Sequence, residues 1–147
     1  MARMPGFRVR TASWPVDAAQ MRWIRLTVFV HEQGVPLELE WDAFDAISRH
    51  VIAESAQGQV IGTGRLLPDG HIGRMAVLRE WRQRGVGSAL LESLLGMARD
   101  CGLDQVVLNA QTHALGFYAH HGFEPEGEEF LEADIPHRTM RRRMVKG

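Results

Sequence analysis

Two arginines and two glycines, Arg82, Arg84, Gly85 and Gly87, lie in one turn between a strand-like stretch and a helix-like stretch. The start of a helix leaves about four backbone N–H groups without partners and carries a partial positive charge, so an anion bound there gains several hydrogen bonds. Because both glycines lack a Cβ, a phosphate group can approach the main chain closely. The turn therefore predicts a site for a phosphate or diphosphate.

Three further segments accompany this turn. Ala114–Phe123 contains the pattern Phe-Tyr-x-x-x-Gly-Phe, Val28–Asp42 contains Glu-Gln-Gly-Val-Pro, and Ile135–His137 reads Ile-Pro-His. The turn and the first segment resemble the acyl-coenzyme A signature of the GNAT acetyltransferase superfamily, and the other two resemble its ElaA-like branch. The resemblance implies an acyl-coenzyme A-dependent N-acetyltransferase that uses acetyl-coenzyme A as co-substrate. We expect no metal, because the adjacent pair His120 and His121 lacks the spacing of zinc ligands.

Length and composition are those of an ordinary globular protein. A chain of 147 residues fits one domain, which we expect to span residues 1–147. A net charge of −1 argues against general nucleic-acid binding. No apolar run reaches the roughly 18 residues that cross a membrane, and Met1–Gly6 lacks the apolar core of a secretion signal. These features predict a cytoplasmic protein with no membrane partner.

Hydrophobic periodicity and turn residues predict an alternation of strands and helices. We expect strands at Phe7–Arg10, Arg49–Glu54, Gln59–Leu67, His71–Val77, Gln105–Ala110, Glu128–Glu132 and Arg138–Met144. Helices are expected at Ala18–Val30, after Pro36, at 86–101 and at Ala114–His121. The strand before the glycine turn, the helix after it and the next strand form a β-α-β unit with parallel strands. The predicted class is therefore α/β (α+β), a mixed and mostly antiparallel sheet with one parallel unit, flanked by helices. This agrees with the GNAT-like fold that the resemblance implies.

The resemblance also implies a donor site formed mainly by the main chain. The amides of Gly85, Val86, Gly87 and Ser88 should bind the diphosphate of coenzyme A, with charge-assisted contacts from Arg82 or Arg84. Met75, Ala76 and Val77 lie where the pantetheine arm should run between two diverging strands. The N–H of Val77 is the candidate donor to the acetyl carbonyl. Asn109 matches a position on the second strand that touches pantetheine in relatives.

Two side chains are the candidate catalytic groups. Tyr118, the only tyrosine of the chain, falls on the family's position for the acid that assists departure of the thiolate. Glu32 lies in the segment that resembles the ElaA-like branch, and we expect it to act as base or to bind the acceptor ammonium. Acidic residues follow it at Glu38, Glu40, Asp42 and Asp45. They either favour a cationic acceptor electrostatically or are solvated helix charges.

The sequence thus predicts an N-acetyltransferase that moves an acetyl group to a primary amine of a small molecule or peptide, by direct attack in a ternary complex. One alternative is a sensor on the same fold that binds acyl-coenzyme A without turnover. Another is a nucleotide-binding module, although the turn lacks the Gly-Lys-Ser/Thr ending of a P-loop. A homodimer is a reasonable expectation for a small enzyme.

Overall fold

The structure is a computed structural model that describes residues 6–40 and 42–144. Most of the segment on which the expectation about a secretion signal rests lies outside these residues. The strands are β1 Phe7–Ala12, β2 Arg49–Ser55, β3 Val60–Leu66, β4 Ile72–Val77, β5 Gln105–Gln111, β6 Glu124–Glu132 and β7 Ile135–Arg143. The helices are α1 Trp14–Arg25, which continues as a π-helix over Leu26–Glu32, α2 Leu37–Glu40, α3 Val86–Asp100 and α4 Leu115–His120. Short 3₁₀ turns lie at Asp45–Ile47, Arg79–Trp81 and Thr112–Ala114.

The strands form two antiparallel sheets that meet at one point. The first sheet has the order β1-β2-β3-β4, and the second has the order β5-β7-β6. A single parallel bridge, His71 to Val107, joins β4 to β5 within the described residues, and α3 connects these two strands along the chain. The predicted mixed, mostly antiparallel fold with a parallel β-α-β unit is confirmed. Its parallel part is short, because β4 and β5 diverge beyond the bridge.

Strand β4 contains a β-bulge just beyond that bridge. The register with β3 pairs Arg65 with Gly73 but Thr63 with Ala76, so β4 has one residue more than β3 over this interval. Arg74, in the extra length, has a positive φ of 50°. A bulge bends its strand and increases the local twist. It therefore contributes to the divergence of β4 from β5.

Helix α3 supplies much of the core that holds this geometry. Its fully buried residues Leu90, Leu91 and Leu94 follow helical spacing and belong to one cluster with Val51 and Ile61 of the first sheet. The predicted helix 86–101 differs from the observed one by a single residue. Side chains at this spacing form one apolar face of the helix, so the hydrophobic periodicity of the sequence predicted its bounds accurately.

The first helix differs from its prediction at both ends. Pro15 occupies its first turn, where the missing N–H costs nothing. The Asp17 carboxylate accepts the Ser13 N–H at 2.9 Å, so the helix begins four residues before the predicted Ala18. The predicted Val30 end falls within the π-helix. The tail strands also begin earlier than predicted. Strand β6 is exposed at nearly every position and its first six residues include no large apolar side chain, so its start shows no hydrophobic period.

Gly70 precedes the point where the two sheets join, and its replacement should destabilise the fold. Its φ is 101°, and an added Cβ would lie 2.9 Å from the backbone oxygen of Gln105. We expect Gly70→Ala to lower the free energy of unfolding by about 2–4 kcal/mol, through strain and overpacking. Urea unfolding is the measurement. Gly58→Ala is the control, since Gly58 has a φ of 83° but a Cβ added there would have no atom within 4 Å. An equal loss of stability in both variants would show that backbone strain, and not the contact with Gln105, destabilises Gly70→Ala.

Candidate functional site

The gap between β4 and β5 beyond their bridge, here called the β4–β5 cleft, exposes main-chain groups of β4. The Leu78 N–H donates to Ile61 on β3 at 2.9 Å, and pairing alternates along an antiparallel ladder, so Ala76 also bonds β3. Since the N–H and C=O of a trans peptide point in opposite directions, the Val77 N–H and the Met75 carbonyl point into the cleft. The Val77 carbonyl confirms this direction, because it accepts Arg82 Nε from outside the sheet at 3.0 Å. Ala76 is buried and offers the cleft no main-chain polar group.

Strand β5 forms the opposite wall. The Val107 N–H donates to Gly70 at 3.1 Å, so alternate residues of β5 turn their main-chain groups toward β4. Asn109 and Gln111 share this orientation but lie beyond the last bridge. The Asn109 side chain accepts the hydroxyl of Thr139 on β7 at 3.0 Å. Asn109 therefore faces the cleft with its main chain, while its side-chain oxygen is engaged by the neighbouring strand.

The start of α3 has the form expected of an anion site, and we call its N–H groups at residues 85–88 the α3 cradle. Gly85 has a φ of 86° and caps the helix without a side-chain bond. The first helical bond runs from the Ala89 N–H to the Gly85 carbonyl at 3.0 Å. Within residues 6–40 and 42–144, the N–H groups of Gly85, Val86, Gly87 and Ser88 donate to no backbone acceptor. They are available for a bound diphosphate.

The two arginines of the turn have different partners. The Arg82 guanidinium donates to both oxygens of Glu32 at 2.6 and 2.8 Å, in addition to its bond to Val77. Arg84 is exposed and lies over the Trp81 ring at 4.9 Å. Because Arg82 is held by a carboxylate and a carbonyl, Arg84 is the better placed of the two to reach an anion in the cradle.

The hydrogen bond from Arg82 lowers the pKa of Glu32, and burial only partly opposes it. A carboxylate with a lowered pKa is a weaker proton acceptor. Of the two roles expected for Glu32, this pairing argues against the general base and leaves an ionised carboxylate whose two oxygens are both bonded to Arg82.

Tyr118 projects from α4 toward β4. Its hydroxyl donates to Met75 Sδ at 3.9 Å, a weak bond because a thioether is a poor acceptor. The ring packs edge-on against Phe117 and Phe123. Burial raises the pKa of Tyr118 to about 12, so the hydroxyl stays protonated at neutral pH. The phenol is thus a donor aimed at the strand that carries the outward Val77 N–H.

The end of the π-helix connects both walls of the cleft. Glu32 contacts the turn after β4, and the next residue, Gln33, accepts the side-chain N–H of Gln111 on β5 at 3.0 Å. A π-helix adds a residue per turn and is frequent at functional sites. Gln33 and Gln111 were not identified from the sequence, because nothing in the pattern signals a contact between residues 78 positions apart.

The acidic residues that follow Glu32 were expected either to attract a cationic acceptor or to be solvated helix charges. Neither expectation describes Glu40, Asp42 and Asp45. Glu40, Asp42 and Asp45 form ion pairs with three arginines, Arg25, Arg65 and Arg74. Glu40 and Asp45 are almost fully buried, as are Arg25 and Arg65. Three negative and three positive charges cancel, so this cluster does not attract a cation, and only Asp42 and Arg74 are partly exposed to solvent. The fourth residue, Glu38, is exposed.

Comparison with known proteins identifies the family of this fold and site. The family model described as "Acetyltransferase (GNAT) domain" matches residues 18–144. The chain therefore belongs to the GNAT acetyltransferase family. A relative in Bacillus subtilis, named uncharacterized N-acetyltransferase YjcF, is 39% identical over 122 residues, which cover 80% of this chain and 86% of the relative.

Solved structures of the family share the whole architecture. Escherichia coli ElaA superposes with a TM-score of 0.84 at 27% identity, over 92% of this chain and 99% of ElaA. An acyl-CoA N-acyltransferase from Pseudomonas aeruginosa gives a TM-score of 0.83 at 32% identity, with the same coverage of both chains. The resemblance to the family and to its ElaA-like branch is confirmed.

None of the described helices combines the length and the apolar character of a transmembrane span. No group of three or more His, Cys, Asp or Glu side chains in residues 6–40 and 42–144 is arranged to hold a metal ion.

Proposed function

We propose that the protein is an N-acetyltransferase that transfers an acetyl group from acetyl-coenzyme A to a primary amine of a small molecule or peptide, with residues 1–147 acting as a single domain. The observation that carries the proposal is the outward-facing Val77 N–H at the cleft edge, on the strand whose Met75 contacts the Tyr118 hydroxyl and which leads along the chain to the α3 cradle. Names of relatives support the same chemistry.

In this proposal the residues of the cleft bind and orient the donor. The amides of Gly85 to Ser88 and the guanidinium of Arg84 bind the diphosphate. The Met75 carbonyl and the Val77 N–H bond the pantetheine arm and the acetyl carbonyl. Holding donor and amine in one geometry can lower the barrier by about 7–11 kcal/mol. A fixed N–H aimed at the developing oxyanion adds about 3–4 kcal/mol.

The reaction then needs three proton movements. The ammonium first loses a proton to water, and the neutral amine nitrogen attacks the acetyl carbon. The nitrogen loses a second proton to water, the C–S bond breaks, and the thiolate leaves as a thiol after gaining a proton. Tyr118 donates its hydroxyl hydrogen to the sulfur as negative charge develops. Because the pKa of Tyr118 is raised to about 12, well above that of an ordinary thiol, hydrogen bonding to the thiolate is favoured over complete proton transfer. Solvent then supplies the final proton.

The experiment that tests the proposal has two stages. Calorimetry should first show that the protein binds acetyl-coenzyme A and that ATP does not compete. A panel of primary amines, small molecules and peptides, is then screened by detection of the released thiol. Release that depends on both substrates supports the proposal. Binding without turnover against the whole panel would favour a sensor of acyl-coenzyme A, and absence of binding would refute the donor assignment.

Glu32 should affect the acceptor more than the donor. We expect Glu32→Gln to raise the amine KM by about tenfold, because the ionised carboxylate that contacts the ammonium is lost. Donor affinity should stay the same or increase, since Arg82 is released. Steady-state kinetics and calorimetry measure the two effects. Glu38→Gln, an exposed carboxylate nearby, is the control, and a loss of donor affinity in Glu32→Gln alone would contradict the assignment.

A further inference from the structure

His121 joins two side chains of α3 next to the cradle. Its Nε2 lies 3.1 Å from Ser88 Oγ, and its Nδ1 lies 2.8 Å from Glu92 Oε1. Ser88 and Glu92 are four residues apart and therefore share one helix face. The His121 side chain is only 9% exposed, whereas that of Glu92 is 59% exposed. The imidazole is thus fixed between the cradle residue Ser88 and a carboxylate.

These contacts couple the protonation of His121 to the direction of the Ser88 hydroxyl. An ionised carboxylate only accepts hydrogen bonds, so Nδ1 carries a hydrogen and donates to Glu92. In the neutral ring, Nε2 accepts the Ser88 O–H, and the hydroxyl hydrogen points at the ring. In the imidazolium, Nε2–H donates to Ser88 Oγ. The hydroxyl hydrogen must then turn away from the ring, and it becomes available to an anion.

We propose that His121 is a further donor-binding residue, whose protonated ring, held by Glu92, turns the Ser88 hydroxyl toward the diphosphate and adds a positive charge beside the α3 cradle. This inference rests on the proposed function, because it requires a diphosphate in the cradle. The same three groups have the order of a Ser-His-acid triad. A diphosphate at the helix start, however, offers Ser88 no acyl carbon to attack.

Charged groups of both signs surround His121. The Glu92 carboxylate lies at Nδ1, and Arg142 of β7 donates its Nη1 hydrogen to the His121 carbonyl at 2.8 Å. The rings of Phe117 and His120 also contact the imidazole, at centroid distances of 5.1 and 5.5 Å. A bound diphosphate adds negative charge, so binding and protonation favour each other. Histidine in general changes charge between about pH 5 and 8. Affinity should be highest at the acid end of this range and fall as pH rises.

The test compares the affinity for coenzyme A at pH 6 and pH 8 in four proteins: the wild type, His121→Asn, Ser88→Ala and His120→Asn. We expect wild-type affinity to fall by about five- to tenfold over this range, beyond any change that the phosphates of coenzyme A cause by themselves. His121→Asn should lose this extra dependence, Ser88→Ala should lose the part of it that the hydroxyl carries, and both should bind several-fold more weakly at pH 6. His120→Asn, which alters the adjacent exposed histidine, should keep the wild-type profile, whereas the dependence that remains in His121→Asn reports the contribution of the phosphates.

A second measurement uses the wild type alone, in case a variant fails to fold. The His121 ring is followed by NMR during a pH titration with and without coenzyme A, and its midpoint should rise on binding. Pantetheine, which lacks the diphosphate, should cause no rise. An unchanged midpoint, or wild-type affinity and pH dependence in His121→Asn, would overturn the inference. Failure of the wild type to bind coenzyme A would instead refute the proposed function.

Discussion

Replacing Tyr118 with phenylalanine should lower turnover by about 10- to 100-fold while the Kd for acetyl-coenzyme A changes by less than about threefold. The variant removes only the hydroxyl, whose hydrogen bond to a charged group is worth about 1.5–3 kcal/mol. In the free protein that hydroxyl bonds only the thioether of Met75 among the described residues, so little stability is lost. Steady-state kinetics, calorimetry and thermal unfolding measure the three quantities.

The pH profile gives an independent check on this role. Burial raises the pKa of Tyr118 to about 12, so the protonated form is present below that value and is lost only as pH rises through it. The wild type should show no alkaline loss of turnover assignable to Tyr118 below about pH 11. Unchanged turnover in Tyr118→Phe would show that the hydroxyl has no part in the mechanism. A loss of affinity for acetyl-coenzyme A as large as the loss of turnover would show that Tyr118 acts by packing and not as a hydrogen-bond donor.

The second large effect concerns the buried ion pairs that Arg25 forms with Glu40 and Asp45. We expect Arg25→Met to lower the free energy of unfolding by about 3–5 kcal/mol, because breaking a buried ion pair leaves the remaining charges without compensation. Arg25 is 1% exposed and bonds Glu40 and both oxygens of Asp45. Urea unfolding is the measurement. Arg99→Met, on the exposed face of α3, should change stability by less than about 0.5 kcal/mol.

A double variant separates charge from packing. Arg25→Met combined with Glu40→Met should recover part of the loss, since Asp45 still has Arg65 at 3.1 Å. Replacing buried ion pairs by apolar residues of similar volume is often tolerated. No recovery in the double variant would show that lost packing, rather than an uncompensated charge, causes the instability.

The sequence predicted those parts of the site that lie within one local pattern. The spacing of Val86, Leu90, Leu94 and Met97 located α3 to within a residue, and the glycine turn located the start of the helix. The main-chain direction at Val77 followed from a resemblance, and the register of β3 and β4 supports it.

Contacts between distant segments could not be predicted in this way. The pair Glu32 and Arg82 spans 50 positions, and the bonds from Arg25 span 15 and 20. A carboxylate on its own looks the same in sequence whether it is solvated, bound to substrate or buried against a guanidinium. Only the fold decides, because the desolvation of each acid depends on which cation the chain brings to it. His121 is similar, since its role depends on Ser88 and Glu92, 33 and 29 positions away.

The extra residue of the β4 bulge has a consequence for how this strand can vary. Between the pair Arg65–Gly73 and the pair Thr63–Ala76, one residue of β3 lies opposite two residues of β4. If the ladder continued from Gly73 without a bulge, Met75 would pair with Thr63 and Val77 with Ile61, and the Val77 N–H would turn into the sheet. With the bulge, Ala76 pairs with Thr63 and the Val77 N–H faces the cleft. A strand that lacked Arg74 would need no bulge and would keep the same pairs at Ala76 and Val77. The outward direction of the Val77 N–H therefore depends on strand pairing and not on the side chain of Arg74.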